Sequence, residues 1–387
     1  MSKPIYMDYA ATTPVDGRVV TEMVKHLGME GVFGNPASRS HCYGWQAEAA
    51  VEEARAQLAT ALRCDPRELV FTSGATEADN LALKGVMSHF ASKGRHLVTS
   101  AYEHKAVLDS ARWLESQGCT VSYVAPDAQG QVSVQAILGA LRPDTVLVSL
   151  MHVNNEIGVV NDIAALGLEL RARGILLHVD AAQSFGKVPV DLSALNVDLL
   201  SLSAHKFYGP KGIGALYVRR DAAVRLDAQM HGGGHERGMW SGTLPTHQIV
   251  GMGKAAELVM LEQAAESEHI RRLRDRLIEG ALSLPGVTLN GHPQARVPGI
   301  INLSFEGVDG ESLMLALRDL AISSGSACAS ASLSPSYVLT SMGLSDAQAH
   351  RSLRFSLGRF SVDSDVDAAL SALAEALPAL RRTHVPR

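Results

Sequence analysis

The chain has 387 residues, with 35 Lys and Arg against 40 Asp and Glu for a formal charge of −5, and 46% of it is hydrophobic. That length allows one large domain and a smaller one, with ample core material. The balanced, slightly acidic charge gives no electrostatic case for nucleic acid or an anionic membrane surface. No apolar run reaches the roughly 18 to 20 residues that a membrane-spanning helix needs.

The stretch 1–8 has no signal-peptide core, so a cytoplasmic location is expected. From about Glu48 to Val259, helical and strand-like segments alternate. Residues 47–62 read as helix, rich in Ala and Glu. Residues 68–72 read as a strand running into Ser73-Gly74-Ala75-Thr76-Glu77-Ala78-Asp79-Asn80. Small residues there let the backbone approach an anion at a helix start, and Thr76 adds a hydroxyl; a ligand-free Ser/Thr cap is the plainer alternative. Strand-like 96–100 closes on Ala101-Tyr102-Glu103-His104, where an imidazole suits ring stacking and proton handling near neutral pH. Helix-like 106–117, strand-like 120–124, helix-like 134–141 and strand-like 145–150 follow. The last runs into Met151-His152-Val153-Asn154-Asn155-Glu156-Ile157-Gly158, whose Asn155 amide suits a cofactor ring oxygen or a substrate carboxylate.

Helix-like 163–173 leads to the apolar run Ile175-Leu176-Leu177-His178-Val179, which ends at Asp180. An acid in that place either caps the next helix or holds a cofactor ring nitrogen protonated. A second apolar run, 197–202, ends in Ser203-Ala204-His205-Lys206-Phe207-Tyr208-Gly209-Pro210-Lys211-Gly212. A strand-end lysine among hydroxyl, imidazole and glycine neighbours is placed for a Schiff base with an aldehyde cofactor, its neighbours meeting a phosphate. Asp180 and Lys206 together favour pyridoxal 5′-phosphate (PLP). The alternation implies a mostly parallel sheet with helices on both faces, and ligands at the carboxyl ends of its strands.

Helical 250–282 links to a second unit. There 299–305, 311–320 and 352–356 alternate strand, helix and strand, as in a small α+β domain. Arg354, between apolar Leu353 and Phe355, faces the other side of its strand, and its planar fork suits an α-carboxylate. Segment 323–336 has almost no bulky apolar residue and is expected to be mobile, with Cys328 as an accessible, reactive thiol. Cys42, Cys64 and Cys119 read as packing or incidental residues. With no Cys-x-x-Cys pair, neither structural zinc nor a disulfide framework is expected. The basic tail 381–387 is expected to fray.

Tyr9-Ala10-Ala11-Thr12-Thr13-Pro14, Gly34-Asn35-Pro36-Ala37-Ser38, the 73–80 run, Glu103-His104, 154–158, Asp180-Ala181-Ala182-Gln183, Ser203-Ala204-His205-Lys206, 232–238 and Gly325-Ser326-Ala327-Cys328 resemble cysteine desulfurases of the IscS/NifS type. The likeness runs from about Ile5 to Phe360. It implies a fold-type I PLP-dependent transferase with a large α/β domain, residues 15–258, built on a mostly parallel seven-stranded sheet. A smaller α+β domain, 1–14 and 259–387, carries the cysteine loop. It implies a homodimer that converts L-cysteine to L-alanine and holds the sulfur as persulfide on Cys328. Acceptors are an iron–sulfur scaffold or a sulfur relay such as tRNA thiolation.

By the same likeness Lys206 is the Schiff-base lysine, Asp180 pairs with the ring nitrogen, and His104 stacks and shuttles protons. Gln183 meets the ring hydroxyl; Asn155 serves cofactor and substrate, and Arg354 the substrate. Ala75, Thr76, Ser203 and His205 hold the phosphate, with Thr243 reaching in from the partner subunit. No resident metal is implied, Cys328 being at most a transient cluster ligand. Selenocysteine lyases and aminotransferases share the scaffold, but the Cys328 loop has no job in transamination. Trp240 stands where the family suggests a basic residue facing partners. Family members often carry a further C-terminal segment that docks the iron–sulfur scaffold, and this sequence shows only a basic stub there, which puts delivery to the scaffold, as against a relay, in question.

Overall fold

A computed structural model of the chain describes residues 3–221, 223–324 and 334–383. Its strands are β1 (Ile5–Tyr6), β2 (Leu69–Thr72), β3 (His96–Ser100), β4 (Thr120–Val124), β5 (Thr145–Ser149), β6 (Leu176–Asp180), β7 (Leu199–Ser203), β8 (Gly214–Val218), β9 (Val287–Asn290), β10 (Ile300–Phe305), β11 (Leu320–Ala321) and β12 (Ser352–Ser356). Its helices are α1 (Gly17–Val24), α2 (Cys42–Leu62), α3 (Ala75–His89), α4 (Lys105–Ser116), α5 (Val134–Gly139), α6 (Ile163–Ala172), α7 (Thr246–Leu282), α8 (Gly310–Ala316), α9 (Tyr337–Ser341), α10 (Asp346–His350) and α11 (Asp363–Thr383).

Seven strands form one sheet in the order β2-β8-β7-β6-β5-β3-β4. Pairings from β7 through β6, β5 and β3 to β4 are parallel, and β8 runs antiparallel to both its neighbours. Every residue of β3, β5, β6 and β7 is buried, the mark of a sheet covered by helices on both faces. Strand β4 at the edge is not. The α/β architecture with a mostly parallel sheet is thus present.

Strand β8 escapes a sequence reading because it follows Gly209 and Gly212 and itself begins with Gly214. That glycine lies between Thr72 and Ser203 in the ladder. A Cβ there would stand 2.4 Å from the Leu202 carbonyl oxygen and 2.6 Å from Gly74 Cα. Only glycine lets the three segments meet.

A second sheet, β12-β10-β9, is antiparallel. Its core gathers Leu273 and Leu277 of α7, Ile301, Leu303 and Phe305 of β10, Leu353 and Phe355 of β12, and Val366 and Leu373 of α11. Helix α7 spans both cores, since Ile249, Met252 and Ala256 near its start pack with the large sheet. Val338, Leu339, Met342 and Ala349, from α9 and α10, also pack into the large core. Two short strands, β1 and β11, pair in parallel.

Two expectations change. The helix read over 311–320 stops at Ala316, because the chain must turn to supply β11 beside β1. Of the tail read as frayed, residues 381–383 still belong to α11, where Arg381 Nε donates to the Glu306 carbonyl, and 384–387 lie outside the described residues. Among the described residues, no helix is long and apolar enough to cross a membrane.

Candidate active site

The carboxyl ends of the large sheet's strands converge on a cleft of about 740 Å³, within the range typical of small-molecule sites. β2 delivers Ser73 to Glu77, β3 delivers His104, and β5 delivers Asn155 and Glu156. β6 delivers Asp180 and Gln183, and β7 delivers Ser203, His205 and Lys206. Arg354 enters from β12 of the other sheet, and Ala10 and Ala11 complete the wall. Ala75, Thr76, His104, Asn155, Asp180, Gln183, Ser203, His205, Lys206 and Arg354, read from scattered motifs, therefore share one cleft. Thr243 is exposed and does not line it. Cys328 lies outside the described residues, as does the rest of 325–333.

Helix α3 opens on Gly74 at φ 156°, and no side chain caps it. The backbone N–H groups of its first turn thus face the cleft mouth, where an anion is favoured. The hydroxyl cap considered from sequence is absent: Glu77, not a hydroxyl, takes the Ser73 N–H at 2.5 Å. Trp240 donates its indole N–H to the other Glu77 oxygen at 2.8 Å, so it buttresses this turn rather than lying free on the surface.

Lys206 follows β7 in a single tight turn and donates to the carbonyls of Ala10 at 2.7 Å and Ala11 at 2.8 Å. His205 Nδ1 pairs with Thr12 Oγ1 at 3.0 Å. Burial, with Lys206 and Lys211 beside it, pulls the His205 pKa down to about 4, so the ring is neutral at pH 7. Asp180 accepts the Ala182 N–H at 2.9 Å. Burial raises its carboxyl, and His104 and Lys206 pull it back toward ionisation. Asp79, buried beneath it, is pushed up by burial and by Asp180, so the two do not readily ionise together.

Arg354 is 4% exposed. It donates to the Asn155 carbonyl and to Asp8 Oδ1, each at 2.8 Å. Asn155 Oδ1 and Arg354 Nε are buried without a hydrogen-bond partner among the described residues. Buried polar atoms are nearly always satisfied, so these two mark places where a ligand belongs.

Sequence reasoning missed five participants. Asp8 fixes Arg354, and the Ala10 and Ala11 carbonyls receive Lys206; carbonyls carry no side-chain signal. Glu156 accepts Ser336 Oγ at 2.5 Å, and burial pushes its carboxyl up to about 7. Glu103 is buried and accepts Ser100 Oγ at 2.6 Å and the Met151 N–H at 2.9 Å. Acids set directly before His104 and after Asn155 were the available hint.

A mostly parallel sheet with this ring of strand-end side chains matches the model of the aminotransferase class-V family over residues 5–369, and the chain belongs to that family. More narrowly, it is 61% identical over 381 residues to the cysteine desulfurase IscS of Aeromonas salmonicida (strain A449), covering 98% of this chain and 94% of that one. Among solved structures, a NifS-like protein superposes with a TM-score of 0.90 at 35% identity, covering 97% of this chain and all (100%) of that one. SspA in complex with cysteine gives a TM-score of 0.82 at 40% identity, with 92% and 100% covered.

Proposed function

We infer that the chain is a PLP-dependent cysteine desulfurase, converting L-cysteine to L-alanine while Cys328 takes the sulfur. The observation that carries this is the convergence of Lys206, Asp180, the uncapped start of α3 and Arg354 on one cleft, in a chain 61% identical to an IscS cysteine desulfurase. The residues present suit the cofactor. An amine, a buried acid, an anion-favouring helix start and the unpartnered Asn155 Oδ1 are the partners that an aldehyde, a ring nitrogen, a phosphate and a polar ring substituent require.

Bound there, PLP would supply the electron sink for charge developing on the substrate. Lys206 would hold it covalently and Asp180 would meet its ring nitrogen. Ala75, Thr76, Ser203 and the neutral His205 would take the phosphate, Gln183 the ring hydroxyl, and His104 would contact the ring and carry protons. Arg354, its guanidinium preset by Asp8 and the Asn155 carbonyl, binds the substrate carboxylate. The Cys328 thiolate attacks the substrate sulfur, so an S–S bond forms as the substrate's C–S bond breaks. A proton replaces sulfur on the carbon, leaving alanine and a protein persulfide.

The functional unit is a homodimer. Leu27, Met29, Phe33, Tyr43 and Trp45 form an exposed apolar stretch, Met29 being 80% exposed. Thr243, exposed and outside the lining of its own cleft, fits a role in the partner's. We assign residues 15–258 to the large domain and 1–14 with 259–387 to the small one, with α9 and α10 of the latter packed against the large core. Sulfur passes on to an iron–sulfur scaffold or a relay protein in the cytoplasm, a setting that the exposed free thiol of Cys42 suits.

The test is direct. Purified protein should absorb near ~420 nm and release alanine from L-cysteine with one persulfide per chain. A Cys328→Ala variant that forms persulfide at the full rate would refute the thiol's role.

A further inference from the structure

Lys187 is a half-buried titratable group behind the cleft that the reaction leaves unused. It lies four positions after Gln183 in the turn that leaves β6, brought back by Gly186 at φ 81°. A Cβ on Gly186 would meet Phe207 Cβ at 2.9 Å, so the turn is held tightly. The Lys187 amino group donates to Gln183 Oε1. Gln183 Nε2 donates to the Ala10 carbonyl at 2.8 Å, the same oxygen that receives Lys206 Nζ at 2.7 Å.

These contacts orient the amide. The Ala10 carbonyl offers only an acceptor, so the amide nitrogen must face Ala10, which leaves the amide oxygen toward Lys187. Gln183 lines the main cleft, whereas Lys187 stands behind it on a small space of about 30 Å³ that Ala10, Lys206, Tyr208 and Glu266 also line and Gln183 does not. Gln183 Nε2 therefore lies on the cleft side. It has a second N–H beyond the one given to Ala10.

We propose that Lys187 is a positioning residue of the cofactor site: by holding Gln183 Oε1 it aims the free amide N–H at the place of the bound ring's hydroxyl. This rests on the cofactor reading above. Without Lys187 the amide oxygen is a buried acceptor lacking a partner, a costly state that it leaves by swinging away from the ring. Lys206, Arg354, Glu266, His205, Tyr9 and Tyr208 are the charged or titratable groups around Lys187. Burial first, then Lys206 and Arg354, pull its own pKa well down, while Glu266 opposes them.

The test titrates the absorbance of the holoenzyme with pH. A hydrogen bond to the ring hydroxyl oxygen favours its ionised form, so losing that bond moves the midpoint up. Lys187→Met is expected to raise it by about one pH unit, the worth of one ordinary hydrogen bond, and Lys187→Arg to restore it. In a Gln183→Ala background Lys187→Met should add nothing. If Lys187→Met gives no folded holoenzyme, Lys187→Asn, polar but two bonds shorter, should show the same shift. An unmoved midpoint overturns the role, as does an equal shift in the Gln183→Ala background, which would make Lys187 a bare charge. Coloured wild type with unmoved variants refutes this role alone; wild type that takes up no cofactor refutes it together with the cofactor reading.

Discussion

Ser323 and Arg354 exchange two backbone hydrogen bonds, Arg354 N–H to the Ser323 carbonyl at 2.7 Å and Ser323 N–H to the Arg354 carbonyl at 3.2 Å. The chain leading to Cys328 is thus anchored at Ser323 on the backbone of the residue assigned to the substrate carboxylate. Its other root is held too, because Ser336 donates to Glu156 and Tyr337 to the Glu103 carbonyl at 2.8 Å.

Arg354→Ala should therefore lower kcat/KM for L-cysteine by about 10²-fold, mainly through KM, as expected for a lost charge-assisted pair. Cofactor absorbance should be retained. Alanine release against substrate concentration measures the split, and an unchanged KM would place the carboxylate elsewhere.

Gly214→Ala should weaken cofactor binding by about tenfold or more, since overpacking costs about 1–3 kcal/mol. The added methyl falls on Gly74 Cα and the Leu202 carbonyl, displacing the turn before α3. Titrating cofactor-free protein with PLP reads the change. Alanine at Gly174, where nothing lies within 4 Å but φ is 66°, is the control for backbone strain alone.

Arg55 and Glu236 form a two-pronged ion pair at 2.9 and 2.7 Å, and Glu236 also accepts the Phe71 N–H at 2.8 Å. Both side chains are almost fully buried. Glu236→Ala leaves the buried Arg55 guanidinium with only the exposed Glu52 as counter-charge, its two terminal nitrogens losing their carboxylate, and should destabilise by about 3–5 kcal/mol. Arg55→Met with Glu236→Met should cost less than the single change. Urea unfolding of the three proteins decides it.

Burial pushes the Glu103 carboxyl from an ordinary 4.5 up to about 8, although Ser100 and Met151 hydrogen-bond to it. Across that window the unfolded chain binds fewer protons than the folded one, so Glu103 makes stability fall as pH rises. Its contribution is whole below about 4.5 and lost above about 8. Glu103→Gln should flatten this part of the profile of urea midpoint against pH; a variant with the wild-type slope would show Glu103 already ionised.

The parallel strands were legible because burial on both faces makes them unbroken apolar runs, with the chemistry at their ends: Asp180 after β6, Lys206 after β7, Arg354 within β12. Elements built on small or mixed residues were not. β8 begins at a glycine required by Gly74, and β11 is two residues defined by pairing with β1. Lys187 and Asp8 escaped for another reason. Each acts on a residue brought near only by the fold, Gln183 through a turn and Arg354 across 346 positions.

The same reach constrains how the molecule comes into being. Asp8 waits for Arg354, 346 positions on, while the Ala10 and Ala11 carbonyls wait for Lys206, 196 and 195 positions on. A chain emerging from the ribosome holds residues 5–13 without their native partners through most of its synthesis. The cleft acquires its floor before its rim, and its substrate clamp almost last. Cofactor capture during translation would meet a half-built pocket, so productive loading belongs to the released chain.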